Sequence, residues 1–266
     1  MEIPTYPYDS EMKTLRTWPL LVKDGYHRRY LKNYVDRIVD LSGHDKIFGI
    51  PTIQIINGID LRSISPRTPS GISSVGTLNL ACAATFAGWH GIDRLLAGLA
   101  KYKQSRGGRK IRLHLMGAGS ELRRLKGMAE GLALDDSVAF YGQCDRAQMD
   151  EVYDRCSMAI ASLGLHRIGI DRASTLKTRE YLAKGIPFVY SGEIDVFKSY
   201  PVDFCLQVPA DESPVDVGKL VEFHDELYRR ETERGLISRI RHYAEEHVSM
   251  DAAMANVVEY IKENCR

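Results

Sequence analysis

The sequence lacks the short motifs that would assign it to several common classes of enzyme and metalloprotein. It contains no C-x-x-C pair, no H-E-x-x-H, no G-x-S-x-G nucleophile turn and no G-x-x-x-x-G-K-[ST] phosphate loop. Its eight histidines and five cysteines show no spacing typical of a zinc site. These absences argue against a P-loop enzyme and a zinc enzyme, and we predict no bound metal ion.

The sequence also lacks a large net charge of either sign. Lys and Arg number 36 against 35 Asp and Glu, for a formal net charge of +1. Nucleic-acid-binding proteins usually carry a basic face, so we predict no nucleic-acid partner. The five cysteines are scattered along 266 residues and odd in number, which favours a reduced, cytoplasmic protein over a disulfide-linked secreted one.

Long hydrophobic runs are also rare. The least charged window, VGTLNLACAATFAGWHGI (75–92), contains Thr, Asn and His and falls short of a membrane-spanning helix. The first residues, MEIPTYPYDSEMK, are polar and acidic rather than basic and then apolar, so we do not expect a signal peptide. Peripheral association with a membrane stays open on these grounds.

From residue 75 onward the sequence alternates short apolar runs with helical patterns. The predicted strands span residues 77–84, 111–117, 137–142, 157–163, 187–190 and 203–208. Amphipathic helices lie between them, such as the one with Ile92, Leu95, Leu96 and Leu99 on one face. This alternation predicts an α/β fold, a doubly wound parallel sheet with helices on both faces. After residue 214 the chain is charged and strandless, which predicts C-terminal helices.

The stretch STLKTREYLAKGIPFVY (174–190) predicts a short helix with a charged first turn. Ser174 or Thr175 can cap its start, and KGIP is typical of a helix end. Unpaired N–H groups at a helix start favour anions, so a Lys there indicates a bound negative group. Lys177 with Glu180 one turn on suits a ligand that carries phosphate and hydroxyl groups. A Lys177–Glu180 surface pair is an equally good interpretation.

Two turns that contain glycine follow other predicted strands. In LMGAGSEL, Leu122 stands where a G-x-G-x-x-G fingerprint needs Gly, so a tight strand–helix turn is favoured over direct phosphate binding. FAGWHGIDRLL places His90 and Gly91 before a helix, where His90 can meet a phosphate or sugar hydroxyl. Capping the helix or packing on Trp89 is the commoner role for a lone histidine. His114 is expected to be a satisfied core histidine.

Taken in order, these pieces resemble glycosyltransferase family 4. The stretches that carry the resemblance are IINGID, WHGIDRLLAGL, IRLHLMGAGSELRRL, VAFYGQCDRAQMDEVYDRCSMAIASL and STLKTREYLAKGIPFV. The resemblance runs from about residue 34 to the C-terminus and is most specific over 137–190. It implies retaining, metal-independent transfer from a nucleoside-diphosphate sugar, two Rossmann-like domains (the GT-B architecture) and no cofactor. It also implies a cytoplasmic enzyme of polysaccharide biosynthesis.

The resemblance further implies which residues bind the donor, although it leaves the catalytic residues unassigned. Glu180 corresponds to the second Glu of the family's E-x7-E motif, which contacts the ribose hydroxyls. Arg172 replaces the first Glu, and His90 replaces a phosphate-contacting Lys, so Lys177 supplies a missing cation. The other predicted donor-binding residues are Thr175 and Leu176 at the diphosphate, Gly91 beside His90, Gly117 and Gly119 near the sugar diphosphate, and Tyr141 and Gly142 near the base.

The length of the chain limits what the resemblance implies for activity. Residues 1–70 correspond to a remnant of the N-terminal acceptor domain with a linker, 71–245 to the donor-binding domain and 246–266 to a C-terminal helix. A donor-binding half is expected to be weakly active or inactive alone. The alternatives are a non-catalytic module that pairs with a separate acceptor domain or forms a homo-oligomer, and a Rossmann-type oxidoreductase, which the incomplete glycine fingerprint disfavours.

Overall fold

The computed structural model describes residues 1–3, 6, 18–71, 76–105 and 108–264. The chain forms two compact units, which we call the minor unit (Met1–Gly58 with Val248–Arg266) and the major unit (Ile59–His247). The domain boundaries expected after residues 70 and 245 stay predictions.

Strands and helices are numbered in chain order. The strands are β1 (Glu2–Ile3), β2 (Ile38–Asp40), β3 (Lys46–Ile47), β4 (Ile50–Gln54), β5 (Leu78–Ala83), β6 (Ile111–Met116), β7 (Val138–Gly142), β8 (Met158–Ile160), β9 (Arg172–Ala173), β10 (Phe188–Ser191), β11 (Glu193–Ile194) and β12 (Cys205–Val208). The helices are α1 (Trp18–Arg28), α2 (Ile92–Gln104), α3 (Leu122–Gly131), α4 (Arg146–Arg155), α5 (Leu176–Lys184), α6 (Asp195–Ser199), α7 (Val217–Arg230), α8 (Glu233–His247) and α9 (Met250–Asn264).

The major unit is built on a six-stranded parallel sheet with the strand order β12-β10-β8-β5-β6-β7. From β5 the chain adds β6 and β7 on one side, and then returns to add β8, β10 and β12 on the other. The predicted doubly wound, Rossmann-like sheet is therefore confirmed. The strand order reverses between β5 and β8, and ligands of open α/β sheets bind at such a reversal, outside the carboxyl ends of the strands.

Helices bury the sheet, as the apolar runs of the sequence predict. Leu80 of β5 is completely buried in the main hydrophobic core. The inner face of α2 lies in the same core, and its four predicted residues, Ile92, Leu95, Leu96 and Leu99, are each at most 3% exposed. Burying one such side chain stabilises a fold by about 1.5–3 kcal/mol, so the apolar stripe accounts for the packing of α2 on the sheet.

The C-terminal segment is helical, as predicted, and one of its helices positions α5. Helix α8 packs along α5 in the major unit. Gly185 ends α5 in the left-handed conformation (φ 71°), and a Cβ atom there would lie 2.6 Å from the main-chain oxygen of Ile237 in α8. Glycine is therefore needed both for the turn and for the close approach of the two helices.

The minor unit contains a small sheet with the strand order β1-β2-β4-β3. Strands β1, β2 and β4 are parallel, and β3 pairs with β4 in the antiparallel sense. Its core consists of Ile3, Ile38, Ile47 and Ile50. Helix α9 belongs to this unit and contacts β4.

Helix α1 differs from the sequence prediction. The sequence of residues 28–42, RRYLKNYVDRIVDLS, predicts a helix followed by a strand, and the strand is found as β2. The helix lies earlier, at α1, and residues 31–33 form only a 3-10 turn. Polar groups hold α1 in place, since Arg28 donates to Asp24 and stacks 4.7 Å from the ring centroid of Phe48. Apolar periodicity does not detect such a contact.

The segment SPRTPSG (65–71), whose Pro, Ser and Gly content predicts a linker, is anchored to the major unit. The Arg67 side chain is fully buried and lies 2.5 Å from Glu233 Oε1, while its main-chain N–H donates to the oxygen of Lys184. The amides of Ser70 and Gly71 donate to the same carboxylate at 3.2 and 2.9 Å. The Pro- and Ser-rich composition of residues 65–71 indicates an irregular backbone. It does not reveal the buried ion pair that anchors the segment.

The structure also shows the state of the cysteines and the length of the apolar helices. Cys82, Cys144, Cys156 and Cys205 are free thiols, and Cys265 lies outside the described residues. Among the helices that the structure describes, none is long and apolar enough to cross a membrane. The weakly charged window 75–92 contributes β5 and the 3-10 turn Gly88–His90.

Candidate functional site

The candidate site lies where the strand order of the major unit reverses. The carboxyl ends of β5 and β8 are neighbours there, and each leads into a loop that carries predicted site residues. The β5 loop leads to the turn Gly88–His90 and to Gly91, and the β8 loop leads to the start of α5. The topology thus brings His90 and Lys177, about ninety positions apart in the sequence, to the same edge of the sheet.

The start of α5 has the geometry expected for an anion-binding helix terminus. Thr175, one of the two predicted caps, is extended (φ −84°, ψ 137°), and its hydroxyl accepts from the N–H of Thr178 at 3.5 Å. The first N–H groups of a helix have no acceptor within the helix, so those of Leu176 and Lys177 point outward. The Leu176 side chain is exposed, and its amide is the part that can serve a ligand.

Lys177 reaches across the sheet edge to β5. Its Nζ atom lies 3.9 Å from the Sγ atom of Cys82, the next-to-last residue of that strand. Within the described part of the chain, Lys177 forms no ion pair with Glu180, so the predicted surface pair is not formed. Burial lowers the pKa of the His90 imidazole, and the charge of the Lys177 ammonium group lowers it further. The cation is therefore placed in the crevice and not on the outer face of α5.

Arg179 lies on the same helix as Lys177 and Glu180, but its role is structural. Its side chain is completely buried, and it pairs with Asp195 Oδ1 at the start of α6 at 2.5 Å. Its guanidinium also donates to the hydroxyl of Ser174 at 3.1 Å. Breaking a buried ion pair is costly, so Arg179 ties α5 to α6.

Glu180 is a mostly buried carboxylate one turn after the start of α5. Burial raises the pKa of Glu180, and the cations Lys184 and Arg146 oppose that shift. Lys184 itself pairs with Asp150 at 2.5 Å. No hydrogen bond or ion pair with the described residues engages the Glu180 carboxylate. Its oxygens are thus available to hydroxyl groups of a ligand.

His90 occupies a rigid turn beside Lys177. The N–H of Ala87 donates to His90 Nδ1 at 3.1 Å, and the imidazole packs against Trp89 and Phe86 with ring centroids 5.8 and 6.3 Å away. Packing on Trp89, one of the commoner roles considered for this histidine, is therefore observed, while its ring caps its own 3-10 turn and not helix α2. Burial, together with the Lys177 charge, lowers the pKa of His90 to about 4, so the ring is neutral at physiological pH.

Gly91 allows this turn to touch the chain that follows β8. It is left-handed (φ 63°), and a Cβ atom would lie 2.7 Å from the carbonyl carbon of Leu163. The amides of Leu163 and Gly164 donate to the oxygens of His90 and Trp89 at 3.0 and 3.1 Å. Gly91 is therefore required for the two loops to meet, whatever ligand they hold.

Arg167 was not identified from the sequence, although it holds the same turn. Its guanidinium donates to the oxygen of Gly88 at 2.7 Å and to both carboxylate oxygens of Asp93 at 3.0 and 3.1 Å. It also binds Glu212, and the hydrogen bonds from Arg167 lower the pKa of that carboxyl to about 2. An Arg after a strand end carries no local signal for such a role, because its partners lie far along the chain.

Gly117 and Gly119 are packed against main chain. A Cβ atom on Gly117 (φ 127°) would lie 2.0 Å from the oxygen of Ala84, and one on Gly119 (φ 143°) would lie 2.3 Å from the oxygen of Phe86. The N–H of Phe86 donates to the oxygen of Ala118 at 2.6 Å. These contacts support the favoured interpretation of a tight turn, and donor contact by these glycines stays a prediction.

Tyr141 and Gly142 end β7 at the far side of the sheet. The Tyr141 hydroxyl lies 2.7 Å from His114 Nδ1, while His114 Nε2 lies 3.2 Å from Asn79 Oδ1. His114 is thus the satisfied, buried histidine that the sequence predicts. Gly142 is left-handed (φ 71°), and its oxygen accepts from the N–H of Gly117 at 2.6 Å. Contact of this pair with a nucleobase stays a prediction.

Arg172 lies in the two-stranded sheet formed by β9 and β11. It is exposed in β9, and its Nε atom is 4.0 Å from Glu193 in the paired strand β11. Among the residues that the structure describes, no cluster of three or more His, Cys, Asp or Glu side chains could hold a metal ion. The crevice therefore offers two kinds of groups to a ligand, namely helix amides with Lys177 and the carboxylate of Glu180.

Comparisons with known proteins concern the fold of the major unit and the segment that holds the site. Residues 76–197, slightly less than half of the chain, match the family model described as Glycosyl transferases group 1. No curated protein sequence matches the chain.

Several solved structures have the same fold. Sucrose-phosphate synthase from Thermosynechococcus elongatus matches with a TM-score of 0.64 and 17% identity over 98% of this chain and 67% of its own. A glycosyltransferase from Rickettsia africae matches with a TM-score of 0.62 and 15% identity, over 91% of this chain and 66% of its own. Anabaena HepE in complex with UDP and glucose matches with a TM-score of 0.63 and 14% identity, over 98% of this chain and 71% of its own.

This chain therefore spans about two thirds of the length of these structures. At such identities the likeness concerns the fold, while the family match concerns the segment that holds the site. We conclude that the six-stranded unit has the Rossmann-like fold of GT-B glycosyltransferases, and that its residues 76–197 match the glycosyl transferases of group 1.

Proposed function

We propose that the chain is the donor-binding half of a retaining glycosyltransferase of family 4, with residues 1–70 as a remnant of the acceptor domain. The observation that carries the proposal is the position of Lys177 in the first turn of α5, where the strand order reverses, beside His90 and within the segment that matches the family model. We propose a cytoplasmic role in polysaccharide biosynthesis, and low or no activity without an acceptor domain.

The arrangement suits stabilisation of a departing nucleoside diphosphate. The outward N–H groups of Leu176 and Lys177 and the Lys177 ammonium would bind the diphosphate oxygens, where negative charge grows as the glycosidic bond to the leaving group breaks. The Glu180 carboxylate would accept hydrogen bonds from the ribose hydroxyls. None of these contacts requires a metal ion or a cofactor.

The comparisons support a uridine-linked donor as the first to test. The HepE structures that match this chain are complexes with UDP, with UDP and glucose, and with UDP-glucose. We therefore choose UDP-glucose as the primary probe, with GDP-sugars as the comparison.

Calorimetric titration with UDP, GDP and their sugars tests the proposal. We expect saturable binding of at least one of them, and a loss of affinity of about tenfold or more in Glu180→Ala because hydrogen bonds to a charged group are removed. Glu222→Ala, an exposed residue of α7, is the matched control and is expected to bind as the wild type. If no nucleotide binds, or if Glu180→Ala binds as tightly as Glu222→Ala, the proposal is wrong.

Helix α1 favours a second candidate, a non-catalytic module that pairs with a separate acceptor domain or with another copy of itself. Trp18, Leu20, Val22 and Tyr26 are each more than half exposed, at 62, 60, 54 and 58%. An apolar group of this kind on a soluble surface commonly marks an interface with a protein or a membrane.

Light scattering and vesicle sedimentation test this second candidate. We expect an oligomer, or binding to phosphatidylglycerol vesicles, that Val22→Lys abolishes and Lys23→Ser, one position along the same helix, preserves. A monomer that does not bind vesicles would contradict this second candidate and leave the donor-binding proposal unchanged.

A further inference from the structure

Arg167 uses all the N–H donors of its guanidinium group. Its Nε and Nη2 atoms donate to the two carboxylate oxygens of Glu212 at 2.8 and 2.6 Å. Its Nη1 and Nη2 atoms donate to the carboxylate oxygens of Asp93 at 3.0 and 3.1 Å, and Nη1 also donates to the main-chain oxygen of Gly88 at 2.7 Å. A planar guanidinium can form two bidentate pairs at once, whereas the ammonium group of a lysine cannot. These contacts therefore require an arginine.

The partners of Arg167 belong to different loops at the carboxyl edge of the six-stranded sheet. Arg167 itself follows β8, and Glu212 follows the edge strand β12. Gly88 and Asp93 follow β5, one before His90 and the other after it. Because the carboxyl ends of parallel strands meet at the same edge of a sheet, one side chain links three loops that are far apart in the sequence.

Arg94, in the first turn of α2, links the same loops from inside the fold. Its side chain is 2% exposed and donates to the main-chain oxygens of Ser213 and Pro209 after β12, each at 2.8 Å. It also donates to the oxygen of Leu163 after β8. Because Arg94 anchors these loops in the core, we expect them to stay folded without Arg167, whose side chain is 21% exposed. Arg167 then contributes to the relative positions of the loops.

Arg167 also offsets negative charge at this edge of the sheet. Hydrogen bonds from its guanidinium lower the pKa of Glu212 to about 2, so this carboxylate is ionised at neutral pH. Arg124 lies 3.5 Å from Asp93, and His166 Nε2 lies 2.8 Å from Glu212. Without Arg167 the two carboxylates would have less compensating charge around them. An anionic ligand would then bind more weakly, most of all at low salt.

We propose that Arg167 is a positioning residue for the nucleotide-sugar donor. It fixes the loops after β5, β8 and β12 relative to one another, and it offsets the charge of Asp93 and Glu212, without contacting the donor. Loops that are ordered in advance lose less conformational entropy when a ligand binds, so the ligand binds more tightly. The inference rests on the proposed function, and it adds a residue outside the positions that the sequence predicts for donor binding.

Two substitutions separate geometry from charge at Arg167. Arg167→Lys keeps the positive charge and loses the bidentate pairs, and Arg167→Gln loses both. Arg239 is the matched control, because its guanidinium also bridges two carboxylates, those of Glu231 and Asp203, at 2.9 and 2.6 Å. Arg239 lies on α8, and Asp203 precedes β12, so this bridge lies at the amino end of that strand.

The readout is the dissociation constant for UDP-glucose, measured by calorimetry at pH 7.5 and at about 0.05 and 0.5 M NaCl, with melting temperatures as a check on folding. At the lower salt concentration we expect Arg167→Lys to bind about fivefold more weakly than the wild type, because the loops must then be ordered on binding. Arg167→Gln is expected to bind about tenfold or more weakly, because it also loses the charge. Arg239→Lys and Arg239→Gln are expected to bind as the wild type.

Salt tests the electrostatic part of the proposal, which a merely structural role would not affect. The difference between Arg167→Lys and Arg167→Gln is expected to narrow at the higher salt concentration, because screening weakens the effect of the lost charge. A difference that does not change with salt would contradict this part.

Binding by both Arg167 variants at the level of the Arg239 variants would overturn the inference. If Arg167→Gln does not fold, Arg167→Lys decides alone, and an affinity equal to that of Arg239→Lys would overturn it. If Glu180→Ala weakens the binding of UDP-glucose but the Arg167 variants do not, only the role of Arg167 is wrong. If the wild type shows no saturable binding of UDP-glucose or any other nucleotide sugar, the proposed function is wrong as well.

Discussion

At the scale of single residues, three charges within four positions of α5 have three different environments. Lys177 lies at the end of β5 near Cys82, and Arg179 is paired with Asp195 in the core. Glu180 is mostly buried and forms no hydrogen bond or ion pair with the residues that the structure describes. The sequence placed all three on one short helix and indicated an anion near its start. It could not separate their roles, because the partners Asp195 and Cys82 lie on other elements.

The raised pKa of Glu180 leads to a prediction about stability and binding together. Burial disfavours the carboxylate, so at pH 7 the ionised form costs folding free energy. Glu180→Gln removes that charge, and we expect the protein to become more stable by up to about 1 kcal/mol in urea unfolding while nucleotide binding weakens. A variant that is less stable than the wild type and binds equally well would contradict both the burial argument and the proposed role.

Two histidines predict how stability depends on pH. Burial lowers the pKa values of His90 and His114 from the ordinary 6.5 to about 4. The unfolded chain therefore binds more protons than the folded chain between pH 6.5 and 4, and stability is lost as the pH falls through this window. We expect each histidine to contribute about 2–3 kcal/mol of that loss.

Urea unfolding at pH 7 and pH 4.5 measures this contribution. His114→Gln is expected to lose less stability than the wild type between the two pH values. His242→Asn, at an exposed position, is expected to lose as much as the wild type. Equal losses in all three proteins would show that the buried state of His114 is not neutral.

At the scale of elements, periodicity and capping predicted the helices and strands of the major unit well. The α2 stripe, the Thr175 cap and the left-handed Gly185 all lie where local rules place them. Local rules were weaker in the minor unit, where Glu2 of β1 pairs with Val39 of β2, 37 positions along the chain, and polar contacts hold α1. Short strands of two or three residues carry too little pattern to be recognised alone.

The strand-end glycines give a prediction at this scale. Gly117→Ala is expected to destabilise the protein by roughly 2–4 kcal/mol, because the left-handed backbone and the oxygen of Ala84 leave no room for a Cβ atom. The matched control is Gly127→Ala in α3, where no atom lies within 4 Å of the added Cβ, and it is expected to stabilise by about 0.5–1 kcal/mol. Thermal or urea unfolding measures both; similar effects would show that the turn can rearrange.

At the scale of the whole molecule, contacts between distant parts of the sequence stabilise the major unit. The strap 65–71 is bound by Arg67 to Glu233 in α8, and α8 in turn packs along α5. The sequence marked 65–71 as a linker from its composition, and only the buried ion pair shows that it is part of the folded unit.

Removal of this ion pair is expected to unfold the major unit more easily. Glu233→Ala leaves the buried Arg67 guanidinium without its carboxylate, and we expect a loss of about 2–4 kcal/mol in urea unfolding. Glu226→Ala removes the exposed carboxylate that pairs with Arg230 on the neighbouring helix α7, and should cost less than about 1 kcal/mol. A loss in Glu233→Ala no larger than in Glu226→Ala would contradict the role assigned to the strap.

The proposed function requires that the first turn of α5 and the His90 turn together bind a diphosphate. Backbone amide chemical shifts measured by NMR during a titration with UDP-glucose test it most directly. The account predicts that the amides of Leu176, Lys177 and Gly91 shift most and saturate together. Saturable shifts confined to other parts of the chain, or no shifts at all, would contradict it.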